Sequence, residues 1–177
     1  ETIAGCESTI STLADNQVST ILDYSAEGKD SEFEWDRTQA EIMRAIQATE
    51  GDDRHAFSVF KVSGLASTAL LEKIGLRLKP LENLESVGLT LNHDEQSAWE
   101  RVQERFYSLC AKSAAIGKPI FIDAEESWIQ PTIDALAESA MRKWNVEEAI
   151  VYNTVQLYRT DRLGYLKSLT KSAGEKG

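Results

Sequence analysis

Apolar, β-branched runs alternate with amphipathic helical stretches along this chain, and that alternation limits the fold more than any other feature. Val18 to Tyr24 (VSTILDY), Ala56 to Leu65 (AFSVFKVSGL), Pro119 to Ala124 and Ala149 to Leu157 read as four strands. Ahead of them, Ile3, Cys6, Ile10 and Leu13 recur at helical spacing and predict a short leading helix that ends at Asp15-Asn16. Ser31 and Glu34 resemble a capping box, and Trp35, Ile42, Met43 and Ile46 follow on one face. Asn92 and Glu95 form a second such start; Trp99, Val102, Phe106 and Leu109 continue it, and Gly117 and Pro119 end it. Ser67 to Ile74 predicts a short helix, Pro131 the first turn of another through Ile133, Leu136, Ala140 and Trp144, and Arg159 to Ala173 a last one. The stretch Gly75 to Thr90 carries no deciding pattern. Strands that alternate with helices in this way argue for βαβ units and a parallel sheet. Such a sheet is either small and open or one half of an eight-stranded barrel of roughly 250 residues.

Composition narrows the function. The chain has 177 residues, enough for one domain with its own core, and no linker or repeat divides it. Its net charge of −10 repels phosphate backbones, so nucleic acid is not an expected partner. No apolar run approaches the roughly 20 residues needed to cross a bilayer, and no signal-peptide pattern is visible. Both ends read as cut rather than native. Cys6 and Cys110 each fall on a helical apolar stripe, which predicts two buried free thiols and a reducing compartment. His55 and His93 lack a second ligand at metal spacing, and they leave no plausible Ser-His-Asp or Cys-His arrangement.

Parallel strands are covered on both faces and normally read as unbroken apolar runs. Lys61, Asp123 and Gln156 break that rule, each near the C-terminal end of its strand. A buried charge without a partner costs several kcal/mol, so each needs solvent, a partner or a ligand. Alone, each has an ordinary explanation: a snorkelling lysine, an aspartate capping the next helix, a glutamine satisfying a loop carbonyl. Together, at the ends where barrel enzymes keep their chemistry, an ammonium, a carboxylate and an amide make a polar floor for a bound ring system. Glu125 and Glu126 are weaker candidates, because the first turn of a helix favours acidic residues anyway. Asp23 and Glu27 read equally well as surface groups.

The segment FIDAEESWIQP (Phe121 to Pro131), with ILDY, FKVSGL and VYNTVQLYRTD in order, resembles the proline dehydrogenase family over nearly the whole chain. The resemblance implies a (β/α)8 barrel that holds FAD at its C-terminal mouth, oxidises L-proline to pyrroline-5-carboxylate and passes electrons to a quinone. It implies catalytic roles for Lys61 and Asp123, with Lys61 beside the substrate carboxylate. Asp123 and Ala124 would line the flavin site, Gln156 would hydrogen-bond the isoalloxazine, and Thr154 would stand close to the ring. The family's fifth-strand Arg-Gly-Ala-Tyr segment and its late Arg-Arg pair with a Glu have no counterpart here. The expectation is therefore a partial barrel: the N-terminal half, residues 1–177, inactive alone, self-associating or pairing with the missing C-terminal half. The expected location is cytoplasmic, with peripheral contact at the inner membrane. Two other readings stay open: a non-catalytic half-barrel interaction module, and a different barrel enzyme that uses Lys61 as a Schiff-base amine.

Overall fold

Hydrogen bonding settles where the apolar runs become strands. In the structure, a computed structural model, residues 2–24, 29–78, 84 and 91–176 are described. Glu27 and most of the undecided stretch Gly75 to Thr90 lie outside them. The leading segment is a 3-10 turn (Ile3–Cys6) running into α1 (Glu7–Asp15). Then come β1 (Thr20–Asp23), α2 (Glu32–Ala48), β2 (His55–Phe60), a 3-10 turn (Val62–Gly64) and α3 (Thr68–Gly75). The chain continues through α4 (His93–Ala115), β3 (Ile120–Ile122), α5 (Gln130–Trp144), β4 (Val151–Asn153) and α6 (Arg162–Lys176).

The four strands form one sheet in the order β1-β2-β3-β4, and every pair is parallel. Sequential order separates the two architectures left open above. Doubly wound open sheets reverse their strand order at a switch point, whereas barrel strands follow one another. The faces agree with the barrel. Phe60, Ile120, Ile122 and Val151 are buried against Ile42 and Ile46 of α2, Trp99, Phe106 and Leu109 of α4, and Ile133 and Leu136 of α5. The opposite face carries Ile21, 44% exposed, with the half-buried Phe57, Val59, Phe121 and Tyr152. There Phe57 stacks on Phe121 with centroids 4.1 Å apart, and Tyr152 meets Phe57 edge-on at 5.3 Å. These are the residues that would point to a barrel axis.

The helix starts follow their caps. Asn92 and Glu95 make a full capping box, with Glu95 N–H donating to Asn92 Oδ1 at 2.9 Å and Asn92 N–H to Glu95 Oε2 at 3.2 Å. At α2, Ser31 Oγ accepts from Glu34 N–H at 3.3 Å, but the Glu34 carboxylate turns to Asp30 N–H instead, so that box is only half made.

Several boundaries differ from the sequence reading. β2 ends at Phe60 rather than Leu65, because Val62–Gly64 curls into a 3-10 turn whose Gly64 N–H donates to Lys61 O. β4 ends at Asn153 rather than Leu157: Thr154 N–H still reaches Ile122 O at 3.1 Å, then the chain turns back on itself with Leu157 N–H bonded to Val155 O. The last helix begins at Arg162, not Arg159. His55, expected in a charged loop, opens β2 and is buried, its Nδ1 lying 2.9 Å from Thr20 Oγ1. Cys110 is buried as expected, but Cys6 is only partly covered, because it ends the 3-10 turn near the start of the chain.

Candidate functional site at the C-terminal ends of the strands

The strand ends converge on a cavity of about 570 Å³ lined by the β2, β3 and β4 loops. Lys61 stands one residue past β2 and Asp123 one residue past β3. Asp123 N–H donates to Phe60 O at 3.0 Å, which extends the β2–β3 pairing and sets the two residues side by side. Lys61 Nζ then lies 3.0 Å from Asp123 Oδ2, in a partly exposed ion pair. The other carboxylate oxygen of Asp123 accepts its neighbour's N–H, that of Ala124, at 3.0 Å. The aspartate thus serves its own loop backbone and the lysine together.

Gln156 lies three residues past β4, in a loop rather than in a strand, so a shared strand face with Tyr152 and Thr154 is not what carries it. It reaches the site because its Nε2 donates to Glu125 O at 3.0 Å. That bond is the loop-carbonyl role ordinary for a glutamine, and it leaves the Oε1 atom buried without a partner. Lys61, Ala124 and Gln156 line the cavity, together with Ser63, Glu125, Tyr158 and Arg159. Asp123 and Thr154 are not among its lining residues; Asp123 touches it through Lys61, and Thr154 is the residue that carries β4 pairing one step further.

Glu125 is the group whose importance the sequence hid. It was expected in a helical first turn, but α5 starts only at Gln130, and Glu125 sits in the loop, 9% exposed. Its carboxylate accepts Ser63 N–H at 3.0 Å and also bonds the Ser63 hydroxyl. Its own N–H donates to Gln130 Oε1 at 2.8 Å. Burial raises its pKa above the ordinary carboxylate range, against the lowering pull of the Ser63 bonds and of Lys61.

Behind the cavity, the site is tied to the core by Asp134 of α5. Its carboxylate receives Arg162 Nη1 at 2.7 Å and Nη2 at 2.9 Å, a bidentate pair. It also receives Gln130 Nε2 at 2.9 Å and Asn153 Nδ2 at 3.0 Å. Gln130 therefore links the buried ion pair to the Glu125 backbone. Asn153 links it to β4. In the sequence, Arg162 fell within the last helix and Asp134 within the helix opened by Pro131, and neither was singled out.

A family model described as proline dehydrogenase matches residues 6–177. The carbapenem antibiotics biosynthesis protein CarD of Pectobacterium carotovorum subsp. carotovorum is 31% identical over 166 residues, covering 94% of this chain and 41% of that protein. Proline dehydrogenase 1, mitochondrial, of Arabidopsis thaliana is 27% identical over 169 residues, covering 80% of this chain and 34% of its own length. The chain thus spans 41% or less of these curated relatives. A crystal structure of a Bradyrhizobium japonicum Proline Utilization A (PutA) variant superposes with a TM-score of 0.60 at 13% identity, covering 86% of this chain and 14% of that one. At that identity the likeness concerns the fold: the sequential parallel sheet and its helices are part of a TIM-type (β/α)8 barrel.

Proposed function

The chain belongs to the proline dehydrogenase family, and from that premise we propose that it forms the N-terminal half, residues 1–177, of a barrel that oxidises L-proline with FAD and a quinone acceptor. The observation that carries the reading is the Lys61–Asp123 ion pair at 3.0 Å, standing beside a cavity that Gln156 and Ala124 also line. These residues fit a flavin. Gln156 has one amide atom committed to the protein and a buried acceptor, Oε1, with no partner, which suits a ring N–H. Bound FAD would supply the acceptor for a hydride from L-proline, leaving pyrroline-5-carboxylate, and would return to its oxidised form at the expense of a quinone.

The chain's own residues would divide the remaining work. Lys61 offers a cation to an amino-acid carboxylate, and Asp123 directs the ammonium through their ion pair. Gln156 and Ala124 hold the ring system over the strand ends, and Thr154 stands close to it. The packed rings of Phe57, Phe121 and Tyr152 on the inward face of the sheet give that floor an apolar surface. The proposed location is cytoplasmic, with the quinone met at the inner membrane surface.

The C-terminal half would supply the remaining strands and cover the half-buried inner face of the sheet. Proline-dependent reduction of a dye is the test. Full-length protein should reduce it, Lys61→Ala should lose most of the rate, and the 177-residue chain alone should show none. A rate from the chain alone close to that of the full-length protein would refute the half-barrel reading. The match to a carbapenem biosynthesis protein over 94% of the chain supports a second reading, in which the same site serves a biosynthetic oxidation of a proline-like ring. A cyclic imino acid that outcompetes L-proline in kcat/KM would favour it.

A further inference from the structure

We propose that Glu125 is the positioning residue of this site, and that it controls the substrate arm separately from the cofactor arm; the inference rests on the function proposed above. Two loops and the start of α5 meet at this one residue, each through a different group. The carboxylate holds the β2 loop through Ser63, two residues beyond Lys61, with the N–H bond at 3.0 Å and a second bond to the hydroxyl. The backbone N–H holds the start of α5 through Gln130 Oε1 at 2.8 Å. The backbone carbonyl holds the β4 loop through Gln156 Nε2 at 3.0 Å.

That division has a consequence. Removing the carboxylate cuts the bonds to Ser63 and takes a negative charge away from the neighbourhood of Lys61, and both losses fall on the arm that bears Lys61. The bonds to Gln130 and Gln156 run through the backbone atoms of Glu125 and survive any substitution there except proline. Gln130 is itself anchored on Asp134, which the buried Arg162 holds from the other side. The Gln156 arm therefore stays where it is while the Lys61 arm drifts. A shift of about 1 Å in a positioning group is enough to cost roughly 100-fold in a reaction that depends on alignment.

The length of the side chain is part of the device. A carboxylate or carboxamide at the end of two methylenes can accept from Ser63 N–H; a shorter acid at the same backbone position cannot reach it without moving the loop. Glu125→Gln keeps an acceptor for the N–H and so should recover most of what Glu125→Ala and Glu125→Asp lose.

The experiment measures three quantities on full-length protein carrying each variant: the FAD dissociation constant by flavin fluorescence, KM and kcat for L-proline, and the acylation rate of Lys61 read by mass spectrometry. For Glu125→Ala the expected result is a KM raised about 10-fold or more, a FAD dissociation constant within about 2-fold of the parent, and Lys61 acylated several-fold faster. Glu125→Gln should return all three toward the parent. Equal losses of FAD and L-proline binding, or a fall in thermal stability with unchanged KM and Lys61 reactivity, would overturn the proposal. A parent protein that neither binds FAD nor turns over L-proline would refute the proposed function, and the Lys61 acylation rates alone would then decide whether Glu125 positions the lysine.

Discussion

Asp134 should be among the most costly single positions to truncate, and the structure fixes roughly how costly. Its carboxylate accepts four hydrogen bonds, two from Arg162 and one each from Gln130 and Asn153. The Asp134 and Arg162 side chains are only 8% and 7% exposed, so water cannot replace a lost partner. Asp134→Ala would leave a guanidinium buried without counter-charge, a loss of about 3–5 kcal/mol. The two amides left without an acceptor would add to this, though not by simple summation. For a chain of this size that corresponds to a fall in Tm of roughly 6–20 °C. Urea unfolding followed by tryptophan fluorescence and far-UV circular dichroism, at one fixed protein concentration, measures it. The paired variant Asp134→Leu with Arg162→Met removes both charges and should regain most of the loss. A cost below about 1 kcal/mol for Asp134→Ala, or a pair no more stable than the single variant, would refute the reasoning.

Three further outcomes follow from the same geometry. Burial raises the Glu125 pKa above its ordinary value of 4.5, so the stability linked to its neutral form is complete at lower pH and lost as pH rises through the folded-state value. Glu125→Gln cannot ionise, and its stability relative to the parent should therefore increase as pH rises above 4.5; a difference independent of pH would contradict this. Burial pushes the Cys110 thiol up to about 12, while Cys6 is only partly covered, so a thiol reagent should modify Cys6 in the folded protein and reach Cys110 only after denaturation. Asn92→Ala removes the side-chain half of the α4 capping box and should cost about 1 kcal/mol in urea unfolding, with no change in FAD affinity.

The helices were the most legible part of the chain. The spacing of Trp99, Val102, Phe106 and Leu109 is set by one buried stripe, and all four are buried in α4. Lys61 and Asp123 were legible because a charge at the end of an apolar run conflicts with burial, and the conflict itself marks the spot. Strand lengths were not. Val155 and Leu157 have strand-type side chains, yet β4 stops at Asn153, because strand β3 offers pairing only as far as Ile122. Propensity describes a residue, whereas strand length depends on what the neighbouring strand provides. Glu125 was hidden for a related reason. Its partner Ser63 lies 62 residues away, and an acidic residue ahead of a helix has a sufficient local explanation. Asp134 and Arg162 were hidden because they lie 28 residues apart on separate helices, and nothing local in the sequence pairs them.

In the proposed function, Lys61, with Asp123, binds substrate at the strand ends while Gln156 holds the cofactor beside it. Anaerobic titration of full-length protein with FAD, then with L-proline, tests that most directly through the visible flavin spectrum. The expected result is flavin bound near stoichiometry, bleached by L-proline in the parent and bound but not bleached in Lys61→Ala. A protein that takes up no flavin, or a Lys61→Ala variant bleached as readily as the parent, would contradict it.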